Sequence, residues 1–558
     1  MSPSHTPENI AATFCATLVD EWIHHGVRHA VIAPGSRSTP MALAIAARRE
    51  MSVHVFHDER AASFAALGIG QIGPPAILLC TSGTAAAHFH AAVIEAHQSA
   101  VAMLVCTADR PPELRDVGAP QTIDQTKLYG SAVRWFHEPG VASAAAAHTW
   151  RSLAAHAFGS ATGPWPGPVH LNLAFREPLI GEAGDLPARN ADSSLPVSLR
   201  ATAAVDREQL QRLASAIGKS RGVIVAGRGC GDAGAIRELS RAAGWPVLAD
   251  ARSGVRHLAD VAIAAGDRLL RTAAFADEHF PEVVLCIGEP PASKVLNQWL
   301  AASGALHVHV TAQPSWTDPD GVISHRVVAD PGPVCSLLAS MLTVGDPSWI
   351  EAWVDAEAGA QRAIDQVLAG DEMSEPLVAR SVAGFLPRGA HLMVSSSMPI
   401  RDIEWYGLIG EGITVHSNRG ANGIDGVIAT AIGVAVASGA PTAVLIGDIA
   451  FLHDSSALIG LMARSVDLRI VVIDNDGGAI FSFLPQATTL SNKRFEQLFG
   501  TPHGVDLVAL AASHGIPALT VDDLESFAKA LEQPGPAVIR IESDRRANVA
   551  VHRRLNGA

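Results

Sequence analysis

Two short turns, 27 positions apart, carry the side chains best suited to gripping a metal ion. Gly447-Asp448 follows the apolar run TAVLI, and Asn475-Asp476-Gly477-Gly478 follows RIVVI and Asp474. Two strand ends that bracket one helix would bring a carboxylate and an amide oxygen side by side. These are hard ligands for a magnesium ion that keeps water and phosphate oxygens in its shell. Two ordinary strand-end turns would read the same way. A further acid, Glu59, stands in His57-Asp58-Glu59-Arg60, after SVHVF and ahead of the helical run AASFAALGIG. Taken alone, it is an acid favoured by a helix dipole. The stretch from Asn418 to Gly426, NRGANGIDG, is a glycine-dense turn through which backbone can approach a ligand closely, and it opens a long apolar helix.

The elements that must position these residues repeat one rhythm: a short β-branched strand, then a Gly/Ala-rich helix. That pattern predicts an α/β fold of parallel sheets with helices on both faces. HAVIAP, SVHVFHD, AILLCTS, AMLVCTAD and PVHLNLAF supply the first block; GVIVAGRG, WPVLAD, VVLCIGE and LHVHVTA the second; LMVSSS, ITVHSN, TAVLIGD, RIVVIDND and AVIRIES the third. The segment EAGDLPARNADSSLPVSLRATAA lacks a sustained period and reads as a linker. Three domains follow, at 1–185, 205–342 and 350–558, each a mainly parallel sheet flanked by helices, the middle one Rossmann-like. The chain's 558 residues exceed what one core holds.

The chain carries 55 Asp and Glu against 41 Lys and Arg, a net charge of −14 that disfavours nucleic acid and anionic membrane as partners. Any anionic substrate must therefore meet arginines focused inside a site. Six scattered cysteines without a C-x-x-C pair suit a reducing cytoplasm. The N-terminus lacks the basic start and apolar stretch of a secretory signal. Gly426 to Gly447 is uncharged, but Gly439 and Pro441 interrupt it, so a buried helix and strand are expected and no stable membrane insertion. Gly229, Gly231 and Gly234 after GVIVAG match a dinucleotide fingerprint, a weak signal on its own. His88, His90 and His97 match no zinc spacing. The basic C-terminus, DRRANVAVHRRLNGA, reads as a solvated helix end.

Gly447-Asp448, the spacing and Asn475 together resemble the cofactor motif of thiamine diphosphate-dependent decarboxylases, although Ile449 stands where many relatives have glycine. APGSRSTP, TSGTAAAHFHAAVIEA, TADRPPELRDVGAPQTIDQ, SSSMPIRDIEWYG, NRGANGIDG and DNDGGAIFSFLPQ narrow the resemblance to the menaquinone-pathway 2-succinyl-5-enolpyruvyl-6-hydroxy-3-cyclohexene-1-carboxylate synthases, the MenD family. The resemblance is dense in the outer thirds and thinner in the middle, where GEPPASKVLNQW matches best. It implies a thiamine diphosphate-dependent transferase, with magnesium or substituting manganese, that decarboxylates 2-oxoglutarate and adds the succinyl fragment to isochorismate.

By the same resemblance, Asp448 and Asn475 ligate the metal through side chains and Gly477 through its carbonyl, with Gly447 beside them. Ile424 props the cofactor. Glu59, reaching across from a neighbouring subunit, hydrogen-bonds the aminopyrimidine so that C2 of the thiazolium loses its proton. Ser36, Arg37, Arg110, Gln121, Lys294, Ser397, Arg401 and Arg419 match substrate-binding positions. Ile480, Phe481 and Leu484 would form an apolar wall that excludes water, although a helix core explains them nearly as well. A homodimer or dimer of dimers is implied. Competing readings are an acetolactate-synthase-like enzyme using pyruvate with bound flavin, and a catalytically inactive regulator.

Overall fold

A computed structural model describes residues 9–189, 205–370 and 373–557. The C-terminal part of the expected linker, 190–204, lies outside the described residues.

The described residues form three six-stranded sheets, and all their strand pairings are parallel. The first holds β1 (His29–Ile32), β2 (Ser52–Val55), β3 (Ile77–Cys80), β4 (Met103–Asp109), β5 (Trp135–His137) and β6 (Pro168–Ala174), in the order β2-β1-β3-β4-β6-β5. The second holds β7 (Gly222–Ala226), β8 (Val247–Ala249), β9 (Ala262–Ile263), β10 (Val283–Ile287), β11 (Leu306–Thr311) and β12 (His325–Val328). Its order, β12-β11-β10-β7-β8-β9, is that of a Rossmann sheet. The third holds β13 (His391–Val394), β14 (Thr414–His416), β15 (Thr442–Gly447), β16 (Leu468–Asp474), β17 (Ala518–Thr520) and β18 (Ala537–Glu542), ordered β14-β13-β15-β16-β18-β17. The first and third sheets therefore share one topology. Every residue of β3, β4, β6 and β16 is buried, as an apolar run covered on both faces must be.

These elements gather into two compact units. One comprises 1–200, 418–439 and 450–467; the other comprises 201–417, 440–449 and 468–558. In the first unit the helix Val427–Ser438 packs against the helix Glu59–Ile72 at glycine contacts. A Cβ on Gly68 would lie 2.0 Å from the Thr430 carbonyl oxygen, and one on Gly433 would lie 2.1 Å from that of Ala65. Only hydrogen at those positions lets the two backbones approach so closely. The uncharged stretch 426–447 thus forms a helix and the strand β15, and no described helix is long and apolar enough to cross a membrane. All six cysteines are free. The C-terminal basic stretch departs from the solvated helix end expected of it. The helix Arg545–Leu555 buries Asn548, Val551, His552 and Leu555, and half-buried Arg545 bonds Glu496, while Arg546, Arg553 and Arg554 stay exposed.

The shared topology extends to a pair of histidines. His29 Nδ1 lies 3.1 Å from His54 Nε2 across β1 and β2, and His391 Nδ1 lies 3.0 Å from His416 Nε2 across β13 and β14. One ring donates and the other accepts, so the pair holds together in its neutral form. Burial pushes His54 down to about 4 and His416 to about 3, each helped by its neighbouring histidine. A histidine whose folded value is depressed stabilises the fold above its unfolded value of 6.5, and that contribution is lost as pH falls toward the folded value. The melting midpoint is expected to fall between pH 6.5 and 4, and the double variant His54→Asn/His416→Asn should flatten that decline. An unchanged slope in calorimetry would remove these pairs from the acid response.

Candidate active site

The two sequence turns meet at the carboxyl edge of the third sheet because β15 and β16 pair in register, Gly447 opposite Ile473. Asp448 begins a helix directly after β15. Its Oδ2 accepts the backbone N–H of Asn475 at 3.0 Å and of Gly477 at 2.9 Å, and its Oδ1 accepts that of Ile449. Asp448 is 2% exposed, and burial raises its pKa although those N–H groups favour the carboxylate. Gly477 has φ +141°, and a Cβ there would strike the Gly500 carbonyl oxygen at 1.9 Å, so only glycine fits the turn.

Asn475 is buried, and its amide is divided between two environments. Nδ2 donates to Glu375 Oε1 at 3.1 Å, whereas Oδ1 has no hydrogen-bond donor. A buried acceptor without a partner is costly, and a hard cation is the partner that suits a site made of oxygens. The Gly477 carbonyl accepts the N–H of Ala479, which leaves it a second lone pair. Asp448 and Asn475 with the Gly477 carbonyl therefore fit a magnesium ion.

Three groups at this site were not singled out from sequence as site residues: Glu375, Asp474 and His503. Asp474 closes β16, where Arg540 Nε holds its carboxylate at 2.6 Å. His503 arrives on the loop after Gly500, pinned by Asp476, whose Oδ1 accepts the N–H of His503 and Gly504. His503 Nε2 stands 3.4 Å from Asp448 Oδ2 and 3.9 Å from Asp474 Oδ1. One ligand atom from each of these three residues falls within a sphere of mutual distances below 4.8 Å. Neither Glu375 nor His503 lies within a spacing that sequence reading could have used, since both join the site through tertiary contacts. In the same unit, Phe481 meets Phe499 with ring centroids 5.4 Å apart, Ile480 is half-buried and Leu484 is exposed. Arg401 donates to the Ser397 carbonyl at the start of the helix Met398–Tyr406, and Lys294 lies exposed at the first position of the helix Lys294–Ala302.

The other unit holds the remaining expected residues. Glu59 is the first residue of its helix, and Asp58 caps that helix by accepting the N–H groups of Arg60 and Ala61. Asp58 is tied in turn to the Ser456 hydroxyl at 2.6 Å. The glycine-dense turn is held by Glu95, a buried residue that sequence reading passed over. Its two carboxylate oxygens accept the N–H of Gly420 at 2.8 Å and of Ala421 at 2.6 Å. This clasp anchors the segment carrying Arg419 and half-buried Ile424. Arg110 donates to the Pro120 carbonyl, and Gln121, at φ 55°, donates to the Ser82 carbonyl, so these two gather beyond β3 and β4. Ser36 is exposed. Arg37 is 5% exposed, donates to the Phe175 carbonyl and faces Glu177, which gives it a structural tie at the end of β6.

The chain matches three family models: the N-terminal thiamine pyrophosphate (TPP) binding domain over residues 12–128, the middle domain of thiamine pyrophosphate enzymes over 195–394, and the C-terminal TPP binding domain over 411–541. It is 41% identical to a 2-succinyl-5-enolpyruvyl-6-hydroxy-3-cyclohexene-1-carboxylate synthase of Thermobifida fusca, over 99% of both chains. It is 38% identical to the synthase of the same name from Chloroflexus aurantiacus, over 97% of this chain and 95% of the relative. A solved Mycobacterium smegmatis protein described as thiamin diphosphate-dependent superposes with a TM-score of 0.71 at 17% identity, covering 95% of this chain and 99% of that one, and supports the fold alone.

Glu95 makes the turn at 420–421 a testable feature. Removing a buried carboxylate that accepts two backbone N–H groups costs about 2 kcal/mol or more, at roughly 1.5–3 kcal/mol per charged hydrogen bond less what water restores. Glu95→Ala should lower unfolding stability by about that amount in denaturant titration, and turnover should fall with it. A loss below about 0.5 kcal/mol, within the range of ordinary surface substitutions, would mean the clasp does not hold the turn.

Proposed function

This chain belongs to the 2-succinyl-5-enolpyruvyl-6-hydroxy-3-cyclohexene-1-carboxylate synthase family of thiamine pyrophosphate enzymes, and from that premise we propose that it performs that synthesis from 2-oxoglutarate and isochorismate in menaquinone formation. It is a thiamine diphosphate-dependent transferase that forms a carbon–carbon bond. The observation that carries the assignment to particular residues is the pairing of Asp448 with the 475–477 turn, beside an Asn475 oxygen with no donor.

Thiamine diphosphate, when bound, supplies the carbon nucleophile and the sink for the electron pair released as CO2 departs. The chain's own groups do the rest. Asp448, Asn475 Oδ1 and the Gly477 carbonyl would hold magnesium, with manganese as a substitute, and the metal would neutralise the cofactor's diphosphate charge. Glu59, at a helix start with its carboxylate half-buried, keeps a proton on the aminopyrimidine nitrogen. Ile424 supports the ring system.

Both substrates are dicarboxylates. Arg110, Arg401 and Arg419, with Lys294, Ser36, Ser397 and Gln121, offer the cations and donors that an acid-rich chain must concentrate locally. Arg37 serves the same edge while anchoring β6. Ile480, Phe481 and Leu484 keep water from the reacting carbon. The first, second and third sheets are the pyrimidine-binding, Rossmann-like and diphosphate-binding domains. The working assembly is a homodimer or dimer of dimers, as the resemblance implies, in a cytoplasm that suits six free cysteines.

Mass spectrometry of the purified protein with thiamine diphosphate, magnesium, 2-oxoglutarate and isochorismate should detect the succinyl adduct of isochorismate. Turnover of pyruvate in its place would overturn the assignment. Glu59→Gln should keep cofactor binding while turnover drops by about 100-fold or more, the scale of a lost proton-transfer group. Wild-type turnover in that variant would remove Glu59 from the chemistry.

A further inference from the structure

A metal-ligating asparagine must present its oxygen and not its NH2 group, and the two differ by a half-turn of one bond. Asn475 has this choice made for it. The group facing Nδ2 is Glu375 Oε1, at 3.1 Å. Glu375 is the first residue of the helix Glu375–Val382 and is 4% exposed. The same oxygen also accepts the Ser543 hydroxyl at 3.0 Å, so two donors converge on it. Oε1 accepts most strongly when the carboxyl is ionised and still accepts when a proton sits on the other oxygen. A flipped amide would set oxygen against oxygen at this contact, lose the hydrogen bond, and put an NH2 group where Oδ1 now stands. In the orientation present, Oδ1 is the buried atom without a donor.

A second buried acid lies near Glu375. Asp402, on the helix Met398–Tyr406, is near enough to act electrostatically on Glu375. Asp402 Oδ1 lies 3.1 Å from His552 Nε2, and His552 Nδ1 lies 3.1 Å from the Tyr406 hydroxyl. These buried groups link the helix Met398–Tyr406 to the C-terminal helix.

We propose that Glu375 is the positioning residue that locks the Asn475 side chain with Oδ1 toward the divalent ion. This rests on the reading of Asp448 and Asn475 as the metal site. Partners that orient a metal ligand without touching the metal commonly change affinity by about 10–100-fold when removed.

The test is Mn2+ binding, followed by electron paramagnetic resonance on protein mixed with thiamine diphosphate, with near-ultraviolet circular dichroism reporting the fold. Glu375→Leu, which cannot accept, should weaken Mn2+ binding by about 10-fold or more. Glu375→Gln, whose side-chain oxygen still accepts, should stay within about threefold of the parent, a margin below that range. A structural role alone would not separate these two variants by metal affinity. If the leucine variant fails to fold, Glu375→Met, unbranched and closer in length, repeats the comparison. Asp448→Ala is the control for the underlying reading. If Asp448→Ala loses Mn2+ while folded Glu375→Leu or Glu375→Met binds it as the parent does, the positioning role falls and the metal site stands. If the parent and Asp448→Ala bind Mn2+ alike, the metal site falls, and the proposal with it.

Discussion

The hydrogen bonds from the 475 and 477 backbone N–H groups to the Asp448 carboxylate are the constraint on which the site depends. They convert two independent strand ends into one rigid corner. A parallel sheet brings its carboxyl ends to one edge, but leaves the turns free to diverge unless something ties them. Here a single buried carboxylate does so. Gly477 completes the corner, since any side chain there would collide with the Gly500 carbonyl.

Much of this corner was legible in sequence because its parts follow strands long and apolar enough to recognise. β15 has six residues and β16 has seven, nearly all buried. The strands that escaped reading are β5, β9, β12 and β17, of two to four residues, mostly half-buried or exposed. A run of three residues cannot display a period of two. All four lie at or near sheet edges, where one flank has no neighbour to demand apolar side chains.

The residues missed at the sites share another feature. Glu95, Glu375 and His503 act on groups 325, 100 and 55 positions away, the last found by subtracting 448 from 503. Helix starts and helix faces full of Asp and Glu are common, and nothing local distinguishes an acid that clasps a remote turn from one that meets water. The burial of Glu95 at 2% and Glu375 at 4% is what separates them, and burial is a property of the fold. The discontinuous first unit has the same origin. Segment 418–439 joins it through the Gly68 and Gly433 contacts and the Glu95 clasp, and segment 450–467 through the bond of Ser456 to Asp58, none of which a linear pattern contains.

A buried acid in the second unit also holds backbone from a distance. Glu404, which burial pushes up to about 8, accepts the Ala251 N–H at 2.7 Å and lies 3.2 Å from Arg256. Arg256 donates to the carbonyls of Ile403, Glu404 and Gly407, capping the C-terminal end of the helix whose other end carries Ser397 and Arg401. Arginine suits that task because its planar fork satisfies several orphan carbonyls at once. The Rossmann-like sheet therefore fixes a helix of the third sheet by its far end, and the same helix carries Asp402 against Glu375. The polar chain behind Asn475 and the cap made by Arg256 converge on one helix. The middle sheet thus helps hold the helix that packs against the helix carrying Glu375.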